Sequence, residues 1–219
     1  MKTESESTDL KLKPMKCEMN FLNKSDGSAI LAQGDTVVLT SVNGPLDIKM
    51  QSQSIEKATI EVFFYPKGGK PSVGDRYKEH AIKQTCETAI LSSVYPRSGI
   101  TVTVQELEDH GGFLSCTLNC CCLALLNSGV MMRSTFAAIS CCIDASSNVT
   151  LEPTRTDLER ASATMTFVFD SRDRNLVSGF TEGSFSEAAY KEALERCRSA
   201  SDLVFDFYRD IVKRYSHVL

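Results

Sequence analysis

Apolar and polar positions alternate first at residues 28–42. Two aliphatic and β-branched runs there flank Gly34-Asp35, which predicts two strands joined by a tight turn. Asn43-Gly44-Pro45 predicts the end of the second strand. A further strand is predicted over 57–65, with Ile60, Val62 and Phe64 on one face and Pro66 as its stop. Residues 66–75 hold two prolines and three glycines and read as a loop. Ile82, Cys86, Ala89 and Ile90 then recur at helical spacing, predicting a helix over 76–93. Residues 95–99 break it, residues 100–107 alternate strictly as a half-buried strand, and His110-Gly111-Gly112 turns the chain.

Residues 115–128 are small and apolar and predict a buried helix, with Leu118, Cys121, Cys122, Leu125 and Leu126 inward and Gly129 as its C-cap. Residues 133–144 read as an apolar strand beside which 149–151 can return. Residues 163–169 and 176–180 form a predicted hairpin around 171–174. The last element is a long amphipathic helix over 186–215, capped from Ser184 to Ser186. Its stripe runs through Tyr190, Ala193, Leu194, Cys197, Val204, Phe207, one of Phe205 or Tyr208, and Ile211. This order predicts an α+β (mixed α/β) fold, one domain over residues 11–219 behind a short disordered tail at 1–10.

Composition narrows the function. The chain has 219 residues and a formal net charge of -4, which argues against a generally basic coat for nucleic acid but permits a local basic patch. No apolar run approaches the roughly 20 residues that span a bilayer, so no membrane partner is expected. The polar N-terminus lacks the apolar stretch of a secretory signal. Nine cysteines are present, yet no pair has Cys-x-x-Cys spacing and His80, His110 and His217 make no ligand ladder with them. Buried, reduced thiols in an intracellular protein are expected, with no metal and no cofactor.

Several blocks in order resemble the RNase PH-like family. Lys13-Pro14-Met15-Lys16 leads into Ser25-Asp26-Gly27-Ser28-Ala29 and Gly34-Asp35-Thr36-Val37-Val38. Tyr95-Pro96-Arg97-Ser98, Gln105, Gly111-Gly112, Asn119, Leu123-Ala124-Leu125, Gly129 and Met132 follow. Leu151-Glu152-Pro153-Thr154 and residues 163–169 complete the series, and Phe207-Tyr208-Arg209 adds a feature of exosome subunits. The resemblance covers roughly residues 11–215. It implies the ribosomal-protein-S5-domain-2-like fold, with a left-handed crossover. It also implies a ring subunit of the RNA exosome, in nucleus, nucleolus and cytoplasm, supporting rRNA processing and RNA degradation. Its partners would be other RNase PH-like ring subunits and RNA, with a homodimer when isolated and DNA as an alternative ligand.

The same resemblance points to a lost active site. Phosphorolysis needs cations to hold phosphate and carboxylates for metal or acid work. Where active relatives carry G-G-T-R, this chain has Gly111-Gly112-Phe113-Leu114, so Leu114 stands at the arginine position. Gln84 and Glu87 stand at two further arginine positions. Against the acidic segment of active members, Glu152 keeps the first acid and Leu158 replaces the last, and a shift of one places Asp157 there instead. Glu152 and Asp157 are thus remnants. Each missing electrostatic donor costs about 10²–10³ in rate.

Two other chemistries compete with this reading. Glu106, Glu108, Asp109, Glu152 and Asp157 could chelate a divalent ion for hydrolytic cleavage, or simply be solvated charges. Lys67, Lys70, Arg76, Lys78 and Lys83, with Arg97 near them, could bind nucleic-acid backbone without sequence preference, or line a plain surface loop. The 66–75 loop itself offers no aromatic on which a base could stack. The mixed charges of the last helix read as a salt-bridged solvated face.

Overall fold

In a computed structural model, residues 12–50, 53–144 and 148–216 are described, so the tail predicted at 1–10 lies outside the described residues. The chain order is β1 (Met15–Met19), β2 (Gly27–Gln33), β3 (Thr36–Asp47), β4 (Thr59–Tyr65), α1 (Val73–Ala89), β5 (Ser98–Glu108) and α2 (Phe113–Ser128). Then come β6 (Phe136–Ile143), β7 (Val149–Leu151), α3 (Arg155–Arg160), β8 (Ala163–Asp170), β9 (Leu176–Gly183) and α4 (Glu187–Ser216). Five strands make one sheet in the order β1-β2-β3-β5-β4, and four make another in the order β7-β6-β8-β9. All pairings are antiparallel except β4 with β5, which α1 connects as a crossover.

The centre of the fold is α2. It packs on β2 and β3 on one side and on β6 on the other. Twelve of its sixteen residues are buried, so it has no broad solvated face, and the inward stripe predicted from sequence understates its burial. Small residues permit this. A Cβ at Gly27 would lie 2.5 Å from the Ala124 carbonyl oxygen and the Ser128 nitrogen, so β2 reaches the helix only because residue 27 has no side chain. Asn119 ties the layers together. Its Nδ2 donates to the Ala138 carbonyl at 2.9 Å, while its Oδ1 accepts from the Ala138 N–H at 2.8 Å and the Tyr208 hydroxyl at 2.9 Å. Cys116, Cys120, Cys121 and Cys122 are buried fillers, and burial pushes the Cys120 and Cys122 thiols up to about 12. All nine cysteines are free, and thiols so raised are poor nucleophiles at neutral pH.

Most predicted elements occur, with four differences. The second strand does not end at Asn43. It passes through a register shift between Asn43 and Leu46 and continues pairing with β5 to Asp47. α1 begins at Val73 rather than 76, because Ser72 and Asp75 form a capping box: the Ser72 N–H donates to Asp75 Oδ2 at 2.8 Å. It ends at Ala89, where Ile90 turns extended and bridges to Met132. The short α3 has no counterpart in the apolar pattern; Thr154 and Asp157 nucleate it with a second capping box. In α4, Phe205 and Tyr208 face the core, whereas Phe207, Tyr190 and Leu194 are half-buried. Ser186 caps that helix, its Oγ accepting from the Ala189 N–H at 3.3 Å.

Candidate nucleic-acid interface

A cleft of about 270 Å³ opens between the first turns of α1 and α2 and the face of β6, β8 and β9. Its lining is largely apolar, including Phe113, Leu114, Leu158, Met165 and Phe180. Leu114 and Leu158, which the family resemblance sets at an arginine position and, with Asp157 as the alternative, at an acid position, both line this cavity. The other two positions behave differently. Gln84 and Glu87 lie on the exposed side of α1, where Glu87 meets Lys83 at 4.0 Å.

The surviving acids are held elsewhere. Glu152 is 5% exposed and accepts from the Lys13 N–H at 2.6 Å and from Gln33 Nε2. Burial raises its carboxyl above the usual range, against the opposing pull of Lys13 and Gln33. Asp157 caps α3, accepting from the Thr154 hydroxyl at 2.6 Å and its N–H at 2.9 Å, and these bonds lower its carboxyl. Glu106 is raised chiefly by burial. Glu108 pairs with Lys67 at 2.7 Å, which lowers it. Among the described residues no three His, Cys, Asp or Glu side chains converge as metal ligands, so the five acids considered for a hydrolytic centre do not form one.

The predicted cations divide into groups. Lys67, Lys70, Arg76 and Lys78 gather where β4 ends and α1 begins. Lys70 is exposed on the loop, Arg76 meets Glu79 at 3.2 Å, and Lys78 meets Asp75 at 3.4 Å. The Lys78 ammonium also sits 4.7 Å from the Phe113 ring centre, fixing it at the cleft wall. Lys83 lies further along α1. Arg97 is not with them. It precedes β5, whose Gly99 pairs with Thr59 at the start of β4, whereas Lys67 follows the other end of that strand. Seven residues of β4 thus separate Arg97 from the cluster by roughly 20 Å.

One residue escaped the sequence reading. Because α1 starts early, Tyr77 projects from its second turn into the cleft, 43% exposed, between Arg76 and Lys78 in sequence. An aromatic inside the basic stretch was the available signal, hidden by placing it beyond the loop.

Two sheets around a buried central helix, with one parallel pair across the α1 crossover and a cleft beside a Gly-Gly turn, define the RNase PH-like class of mixed α/β domain. Comparison with known proteins agrees: residues 11–131 match the model of domain 1 of the 3' exoribonuclease family. The chain belongs to that family. An exosome complex exonuclease RRP46 homolog of Oryza sativa subsp. japonica is 29% identical, over 93% of this chain and 92% of the rice protein. Its Arabidopsis thaliana counterpart is 28% identical over 94% and 93%. The crystal structure of rice Rrp46 superposes with a TM-score of 0.89 at 32% identity, covering 93% of this chain and 96% of that one. An archaeal exosome core chain shares the fold alone, with a TM-score of 0.79 at 17% identity over 91% of this chain and 88% of that chain.

Proposed function

We propose that this chain is an RNA-binding subunit of the exosome complex that does not itself cleave RNA. The observation that carries the reading is the cleft: Leu114 and Leu158 line it, Glu152 is buried in a bond to Lys13, and Asp157 caps a helix. A phosphate entering it would meet Lys78 but no arginine, and no pair of carboxylates that could act as acid and base. One cation absent at Leu114 would cost about 10²–10³ in rate, and with no acid–base pair of carboxylates lining the cleft no useful phosphorolysis is left.

Relatives described as exosome complex components support the complex as the setting, and membership of the 3' exoribonuclease family supports RNA as the ligand. In this reading residues 11–219 form one domain that pairs with another RNase PH-like subunit, or with its own copy when isolated, and serves in nucleus and cytoplasm. Lys67, Lys70, Arg76 and Lys78 contact the RNA backbone, with Lys83 beside them.

The test is direct. Purified protein is incubated with single-stranded RNA and inorganic phosphate, then with magnesium or manganese alone. Binding without shortening is expected. Phosphate-dependent release of nucleoside diphosphates, or metal-dependent cleavage lost on changing Glu152 or Asp157, would overturn the reading.

A further inference from the structure

The cleft, which offers a phosphate Lys78 but no arginine, has another set of groups in it. Tyr77 lies on one wall, and Phe180 meets it at 6.3 Å and 88°, an edge-to-face contact that fixes the ring's direction. Glu182 lines the same cavity, close enough that, after burial, its charge is the next cause raising the Tyr77 phenol. Phe113, Leu114 and Met165 add apolar walls, and buried Ser140 and Thr166, their hydroxyls bonded to each other at 3.0 Å, also line it. Lys70 and Arg76 are exposed on the loop and first turn of α1 that precede Tyr77. The result is a largely apolar slot with aromatic walls, one carboxylate and the Lys78 ammonium.

These groups suit the flat, apolar faces and polar edge of a nucleobase better than a phosphate. Single-stranded RNA is held by stacking unpaired bases on aromatic side chains and reading their edges by hydrogen bonds. A carboxylate only accepts. It therefore takes an exocyclic amine, as on cytosine N4, and disfavours the carbonyl that uracil presents at the same place.

We propose that the cleft seats one unstacked nucleobase of bound RNA, with Tyr77 as the stacking face and Glu182 as acceptor for an exocyclic amine, so that cytosine is preferred to uracil. The proposal rests on the RNA-binding reading and gives its site a base preference that backbone contacts cannot supply. Lys70 and Arg76 hold the flanking phosphates, and Lys78, fixed over Phe113, closes the inner wall.

The test compares oligo(C) with oligo(U), two pyrimidines of equal length and charge, by fluorescence anisotropy on the full chain. Wild-type protein is expected to bind oligo(C) several-fold more tightly. Tyr77→Ser should weaken oligo(C) binding about tenfold with an unchanged salt slope, while Tyr77→Phe keeps it. Glu182→Gln should bring the two oligomers together, since an amide donates as well as accepts. Lys70→Glu with Arg76→Glu should flatten the salt slope and keep the cytosine preference. Equal affinity of wild-type protein for the two oligomers, or an unaltered Tyr77→Ser, would overturn the base-holding cleft while RNA binding itself stands. No affinity for either oligomer would overturn both. Circular dichroism of each variant, expected to match wild type at these exposed positions, keeps a folding defect from imitating a binding one.

Discussion

The Lys13 N–H donates to the Glu152 carboxylate at 2.6 Å across 139 residues of chain, fastening the segment before β1 to the loop after β7. Gln33, at the end of β2, donates to the same carboxylate. Glu152 is thus a structural clasp between the sheets. Glu152→Ala should leave two donors without a partner and cost about 2–4 kcal/mol, measured by urea unfolding. The sign of the pH dependence follows from the raised carboxyl. Its contribution to stability is present in full below the ordinary carboxylate range and is lost as pH rises through the raised value. The gap between wild type and Glu152→Ala should therefore narrow as pH rises from about 4.

Asn119 carries three hydrogen bonds at zero exposure. Asn119→Ala strands the Ala138 backbone groups and the Tyr208 hydroxyl together, and should cost about 3 kcal/mol or more. Tyr208→Phe removes one of those bonds and should cost about 1 kcal/mol. The double variant should be less destabilised than the two singles added, since the Tyr208 bond is counted in both. Denaturation midpoints at constant slope check this.

Gly27→Ala should destabilise by about 1–3 kcal/mol, because the new methyl would press on backbone atoms of α2 that cannot move aside as a side chain would. A thermal melt reads the loss. Gly69 has a positive φ of 79° but nothing within 4 Å of its Cβ position, so Gly69→Ala should cost only the smaller backbone strain.

Four cations at the start of α1 should give single-stranded RNA affinity a log–log salt slope near about -3. Lys70→Glu with Arg76→Glu should weaken binding and flatten that slope. Arg97→Glu should change neither, since β4 stands between Arg97 and the cluster. Titrations at several salt concentrations separate the two outcomes.

The strands were legible because their apolar residues alternate against one core: Ile60, Val62 and Phe64 point inward as their spacing requires. The start of α1 was misplaced because its signal is polar, the Ser72–Asp75 box, and lies among prolines and glycines that read as loop. α3 was invisible for the same reason, being six residues held by Thr154 and Asp157 with none buried. In the site, the identities of Leu114 and Leu158 are legible in the sequence, since a leucine carries no charge wherever it lies. They could not tell what remains. That depends on contacts between distant segments, Tyr77 with Phe180 and Lys13 with Glu152, which no local pattern encodes. Arg97 illustrates the converse, a cation close to the cluster in sequence and far from it across a strand.

Between Phe113 and Leu125 every residue of α2 is buried except Leu114, which borders the cleft. The helix that holds the molecule together meets the cleft through its first two residues, Phe113 and Leu114, and of these Leu114 is the one that is not buried. A change of side chain at position 114 can therefore alter the charge of the cleft while the buried residues 115–125 keep the neighbours that hold the fold.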